Sequence, residues 1–347
     1  MNFLENNFLL TFILYASVLL IINFIFTKKK ILLHLTFNQA HKRENKGNTI
    51  VLSGGIFLIL VLFFINTSND FYLLNFTFYS LFYLFIGIFS DLNNKISAKL
   101  RLLIIFIISF LILIHSQIII DKINITIIDF FLQFNVISLI IFTIALVTII
   151  NGSNFIDGNN ANCTGYFILI YGIIFLNSEK FNLNQNDNFL LINIIISLLV
   201  FSILNLLNKN YLGDNGAYLI GFFTGLYCMH LFSKYSIPSL FIVAILCYPF
   251  SEVCFSIIRK FIEKRNPLYP DNLHLHQLIE KKLSKLSNRV FRNNISTFII
   301  FLLNLSFFIN LYFSDLSKVS LIKSISAYIF FYICFYLGVR TIKKSKK

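Results

Sequence analysis

Tryptophan is absent from this chain of 347 residues, and charged side chains are few. The missing tryptophan accompanies an abundance of Phe, Ile, Asn and Lys, and reads as a bias of composition rather than a functional signal. The shortage of charge excludes more. Only 13% of the residues are Asp, Glu, Lys or Arg, against about a quarter in soluble domains, so a globular protein with a hydrated surface is ruled out. The five cysteines (Cys163, Cys228, Cys247, Cys254 and Cys334) are scattered and odd in number, with no C-x-x-C; neither a disulfide framework nor a zinc site is indicated. Also missing are the phosphate-loop lysine motif, the dinucleotide-binding glycine fingerprint and H-E-x-x-H. The opening residues, M-N-F-L-E-N-N, lack the basic segment of a secretory signal, so the apolar run behind them reads as a retained span.

What is present is apolar. Hydrophobic residues make up 57% of the chain, mean hydropathy is +0.78, and runs long enough to cross a bilayer recur from end to end. The fold class expected is all-α: a polytopic integral membrane protein in which residues 1–347 form a single transmembrane domain. About eleven spans are predicted, near 7–26, 50–66, 71–90, 102–120, 127–150, 163–177, 189–206, 217–232, 237–258, 294–313 and 324–340. The net charge of +14 does not point to nucleic acid, because its distribution has a topological explanation. Of the 29 lysines and arginines, 24 fall on one side of this arrangement and 5 on the other. The rich side holds loops 27–49, 91–101, 151–162, 207–216 and 259–293 and the carboxy-terminal tail. That side is expected to be cytoplasmic, with the amino terminus outside.

The same side receives the polar clusters: S-D-L-N-N-K at 90–95, N-G-S-N-F-I-D-G-N-N-A-N at 151–162, Y-L-G-D-N-G at 211–216 and N-P-L-Y-P-D-N-L-H-L-H at 266–276. The opposite loops are short and plain. A transporter would instead place polar groups at mid-membrane and show repeats. The clusters supply carboxylates (Asp91, Asp157, Asp214), amides (Asn151, Asn154, Asn160), histidines (His274, His276) and cations (Lys99, Arg265). Carboxylate and amide oxygens suit Mg²⁺ shared with substrate phosphates, so the set reads as metal-assisted phosphoryl transfer at a membrane surface. Blander readings stand beside this one. The 151–162 cluster is also a workable polar turn, the histidines are also ordinary loop residues, and Lys99 and Arg101 also serve as topology charges. Glu252 reads as a partner for Arg259, and His115 and His230 as bundle residues. Residues 275–290 space Leu275, Leu278, Ile279, Leu283, Leu286 and Val290 as the apolar face of an interfacial helix.

In their order along the chain these motifs resemble the polyprenyl-phosphate N-acetylhexosamine-1-phosphate transferases, glycosyltransferase family 4, which includes WecA-type enzymes and the phospho-MurNAc-pentapeptide transferase MraY. S-G-G-I at 53–56 resembles the family's early glycine pair, and G-I-F-S-D at 87–91 its G-x-x-D-D. N-G-S-N-F-I-D-G-N-N is similar to N-x-x-N-F-x-D-G-x-D/N, and Y-L-G-D-N-G-A-Y-L-I-G-F to F-x-G-D-x-G-S-x-x-x-G-F. The 266–276 stretch resembles S-P-F-x-P-D-x-x-H-I-H.

The resemblance implies transfer of a sugar 1-phosphate from a UDP-N-acetylhexosamine to a polyprenyl (undecaprenyl) phosphate, with Mg²⁺, or Mn²⁺ in its place. It makes Asp91, Asp157, Asp214, His274 and His276 catalytic, with Asp214 and Asn154 as metal ligands. Lys99, Asn151, Asn160, Arg265 and Asp271 then bind substrate, Asn160 at the uracil, and Gly54 and Gly55 allow close packing near the lipid. A homodimer is left open. The MraY branch would carry H-H-H where this chain has H-L-H-Q. The family's first Asp of the D-D pair is Ser90 here, which leaves a catalytically silent scaffold as the alternative to an enzyme.

Overall fold

Within a membrane a chain has to satisfy its own backbone groups, and the apolar runs of this sequence do so as helices. The computed structural model describes residues 8–33, 50–65, 71–92, 96–116, 118, 120, 122–267, 269, 271–286 and 288–341. Lys42, Arg43, Lys46, Lys95 and the lysines after Thr341 lie outside the described residues.

The elements in chain order are α1 (Phe8–Lys29), β1 (Val51–Leu52), α2 (Gly54–Ile65), α3 (Phe71–Leu92), α4 (Ala98–Ser116), α5 (Thr126–Leu132), α6 (Asn135–Ile156) and α7 (Asn162–Leu176). They continue with α8 (Gln185–Leu206), β2 (Asn210–Tyr211), α9 (Gly213–Tyr235), α10 (Ser239–Ile245), α11 (Cys247–Ile262), α12 (Leu275–Lys282), α13 (Arg289–Phe313) and α14 (Lys318–Thr341). Each predicted span has a helical counterpart, and the chain is a multi-pass membrane protein. About eleven spans were expected; among the described residues eight helices are long and apolar enough to cross, or nine when α10 and α11, bent by 70° at Leu246, are taken together. The described parts of α2 and α7 run for 12 and 15 residues, about 18 and 22 Å, short of a hydrocarbon core of about 30 Å.

Helix α9 is the axis of the bundle. Its apolar window is 83% buried, against 11% for α14, which lies at the periphery. It packs most heavily on α3 and α6, and further on α2. Its small residues permit this: Gly221 faces Ser153 and Ile150 of α6, and Gly225 faces Leu146. Strand β1 pairs in parallel with β2, Val51 opposite Asn210 and Leu52 opposite Tyr211, which brings the S-G-G start of α2 against the start of α9. There the Gly55 N–H donates to Asn215 Oδ1 at 2.7 Å, and a Cβ on Gly55 would lie 2.4 Å from that oxygen. The early glycine pair thus serves helix packing, as expected.

Several expected boundaries move. The 127–150 span is two helices, α5 and α6, broken at Gln133–Phe134, and α6 runs on to Ile156. Asn151 and Asn154 are therefore helical rather than in a loop. Asn151 stays compatible with the helix by donating its amide back to the Val147 carbonyl at 2.8 Å. Asp214 likewise sits in the first turn of α9. The 275–290 helix is cut to Leu275–Lys282 by a 3₁₀ turn at Leu283–Lys285, after which Asn288 caps α13 through the Phe291 N–H.

The loops expected on opposite faces do separate. Asp91, Asn154 and Asn160 bond to residues near 208–215, while Lys318 reaches the Asn124 carbonyl and Ser239 the Ile123 carbonyl at the other end. The second face is not plain, however. Fully buried Asp187 accepts from Tyr227 (3.1 Å), Lys234 (3.2 Å) and Tyr235, joining the start of α8 to the end of α9. No motif announced this network, because its members are single polar residues far apart in sequence.

Candidate active site

The site forms where α3, α4 and α6 meet the amino terminus of α9. Asp91, near the end of α3, accepts the backbone N–H groups of Asp214 and Asn215, both at 3.1 Å, and the Asn215 amide at 2.7 Å. A carboxylate against the exposed N–H groups of a helix start is favourable on dipole and hydrogen-bond grounds, so this residue holds α9 in place. The sequence reading made Asp91 catalytic; in the structure these contacts are those of a helix cap.

Asp214, the second residue of α9, projects its carboxylate between three donors. Asn154 of α6 donates to Oδ1 at 2.7 Å, Ser90 Oγ lies 2.5 Å from Oδ2, and Arg101 Nη1 lies 3.2 Å from the same oxygen. Arg101 also approaches Ser90 Oγ at 2.5 Å and lies over the Tyr218 ring. Arg101 is the cation that sequence reasoning did not select. Lys99 is exposed, and two residues along a helix turn the side chain by about 200°, so the two cannot face one site. Amphipathic phase was the available signal, but it needed the starting point of α4 to be known.

The 151–162 segment is tied down on its far side. The Asn160 N–H donates to Asn293, its amide donates to Asn208 at 2.7 Å, and its carbonyl accepts from Thr297. Ala161 N–H donates to Asn205, and the Asn162 amide to the Ile156 carbonyl. Asn160, expected at the uracil, is thus buried in a carboxamide network that fixes the turn, where the half-buried Asp157 closes α6.

The histidine loop is drawn over this turn. His274 lies against Phe155, ring centroids 4.9 Å apart, and His276 is parallel to His274 at 5.9 Å. His276 packs directly on Gly158, where a Cβ would come within 1.8 Å of its Nε2. Among the described residues neither ring nitrogen of His276 has a hydrogen-bond partner. Burial, aided by the neighbouring His274 and opposed by Glu252, pushes its pKa down to about 3, so the ring is neutral.

The loop is clamped from α11. Arg259, expected as a partner for Glu252, is buried and donates to Asp271 Oδ2 at 2.5 Å and to the Leu273 carbonyl at 2.8 Å. Lys260, also buried, donates to the carbonyls of Pro267 and Tyr269. Burial works to raise the Asp271 pKa, but Arg259 and its hydrogen bond outweigh that and hold the carboxyl below the usual range. Asp271 is therefore occupied within the loop, and exposed Arg265 pairs with Glu263 at 3.4 Å. Glu252 does not meet Arg259, which stands two helical turns, about 10 Å, further along α11. It meets His274 instead, at 2.9 Å.

The site therefore has two parts, a carboxylate–amide–guanidinium cluster at Asp214 and a histidine loop above the 151–162 turn. Residues 73–232, which contain Ser90, Asp91, the turn and Asp214, match the model of glycosyl transferase family 4. The chain is also similar to the undecaprenyl-phosphate alpha-N-acetylglucosaminyl 1-phosphate transferase of Thermotoga maritima, at 24% identity over 258 residues, covering 72% of this chain and 74% of that protein. The motifs, the helical bundle and these two matches agree on one likeness, to glycosyl transferase family 4.

Proposed function

We propose that the protein transfers an N-acetylhexosamine 1-phosphate from a UDP-sugar to a polyprenyl phosphate, from the cytoplasmic face of the membrane. The observation that carries the proposal is the Asp214 cluster, where one carboxylate is gathered with an amide, a hydroxyl and a guanidinium beside the histidine loop. In the reaction, an oxygen of the lipid phosphate attacks the sugar-bearing phosphorus of the donor. The bond from that phosphorus to the bridging oxygen breaks, and UMP leaves. The acceptor needs no strong base, because the second pKa of a phosphate monoester is about 6. Asp91 is therefore free to serve as the cap described above.

The donor set fits a hard divalent cation. Asp214 and Asn154 lie 2.7 Å apart, and turning the amide end for end would offer its oxygen beside the carboxylate. Such a cation, when bound, neutralises charge on the diphosphate. Arg101 supplies a fixed positive charge at the same place, and the histidine loop lies across the turn from it. Ser90 fits this reading, since its hydroxyl bridges Arg101 to Asp214 where a second carboxylate would repel the first.

The test is a membrane assay with polyprenyl phosphate, Mg²⁺ and a panel of UDP-N-acetylhexosamines, reading UMP and lipid-linked product. Product from one donor supports the reaction and identifies the sugar. No product from any donor, with folded protein and an active relative as control, would leave the silent-scaffold reading in its place.

A further inference from the structure

Glu252 lies in the second turn of α11, within an apolar span, and is 2% exposed. An acidic group in that position is costly unless its charge is matched. Both of its oxygens are used on one neighbour pair. Oε2 lies 2.9 Å from His274 Nδ1, and Oε1 accepts the Leu275 N–H, the first of α12, at 3.3 Å. His274 is itself buried, against Phe155 on one side and parallel to His276 on the other. The nearest cations on α11, Arg259 and Lys260, are committed to Asp271 and to loop carbonyls.

A carboxylate accepts and does not donate, so the Nδ1 that faces it carries the hydrogen. The other nitrogen, Nε2, is on the edge away from Glu252, with Asp271 Oδ1, itself paired with Arg259, 3.9 Å from it. Phe155, which the His274 ring contacts, is one residue along α6 from Asn154, which contacts Asp214.

We propose that Glu252 is a positioning residue for the transfer, fixing His274 as its Nδ1–H form and presenting Nε2 to substrate phosphate. This rests on reading the chain as a sugar-phosphate transferase. Glu252 acts through His274 and touches no reacting atom.

The test uses full-length protein in four forms: wild type, E252Q, H274Q and E252Q/H274Q. Gln keeps the shape and an acceptor for the Leu275 N–H while removing the charge. The expected result is a loss of kcat of about 10- to 100-fold in E252Q, the size of one hydrogen bond to a charged group. H274Q should lose at least as much, and the double variant no more than H274Q alone. Losses that multiply in the double variant would overturn the proposal, because Glu252 would then act independently of His274. A second arm needs no turnover. In ¹⁵N-histidine spectra of the detergent-solubilised protein, the His274 signals, identified by their loss in H274Q, should show Nδ1–H in the wild type and shift in E252Q. Unmoved signals would also overturn it. A wild type that turns over no donor defeats the transferase reading, and the spectra then still decide whether Glu252 governs His274.

Discussion

Replacing Ser90 by Asp probes the Asp214 cluster most directly, since it restores the carboxylate pair whose absence distinguishes this chain. Ser90 Oγ lies 2.5 Å from both Asp214 Oδ2 and Arg101 Nη1, so a carboxylate at position 90 has to sit beside that of Asp214. Two such charges about 4 Å apart repel by roughly 4 kcal/mol at an effective dielectric of about 20. Arg101 attracts the new charge by a similar amount and offsets most of this. What does not return is the hydroxyl-to-carboxylate hydrogen bond, about 1.5–3 kcal/mol. The variant is therefore expected to be about 2 kcal/mol less stable without divalent cation, a fall of several degrees in Tm. Millimolar Mg²⁺ should recover that loss by screening the pair, and Mn²⁺ should bind the variant more tightly than the wild type. Thermal melts in chelator and in Mg²⁺, together with Mn²⁺ titration by electron paramagnetic resonance, measure all of this. A variant that melts with the wild type in chelator and gains nothing from either cation would refute the electrostatic reasoning. Turnover by the variant alone would mean that the natural chain is not an enzyme as it stands.

Asp214→Asn should abolish transfer in membranes that still contain the protein at wild-type level; full turnover would remove the residue from the chemistry. Gly158→Ala should cost about 1–3 kcal/mol in thermal melts, since its methyl would sit 1.8 Å from His276 Nε2 and push back the histidine loop. The depressed pKa of His276 has a pH consequence whose sign is fixed. Below pH about 6.5 the unfolded chain takes up a proton that the folded ring refuses, so stability falls by about 1.4 kcal/mol per pH unit down to about pH 3. His276→Leu should flatten that limb of the melting curve, and an unchanged slope would mean that other groups carry it.

The spans were legible because apolar length is written directly in composition, and the Asn154–Asp214 pair because both belong to recognisable motifs. The helix ends were not. Asn151 and Asn154 look like loop residues until their amides are seen to bond within and across helices. Choosing between Lys99 and Arg101 required helical phase, which two adjacent basic residues in an apolar run do not reveal. Glu252 was assigned to Arg259, a neighbour in sequence, whereas its partner stands 22 residues on, across a turn whose path no local pattern encodes. Asn160 was read as a substrate contact by its place in a motif, and its engagement with Asn208, Asn293 and Thr297 depends wholly on tertiary approach.

The Asp187 network has a mechanical consequence. At one end α9 is held by Asp91, which caps its first turn; at the other, Lys234 and Tyr235 fasten its last turn to Asp187 on α8. A rod pinned at both ends acts as a strut: it resists sliding along its axis and rotation about it. Asp214 and Asn215, at the start of that strut, are therefore held at a fixed height against Asp91 on α3.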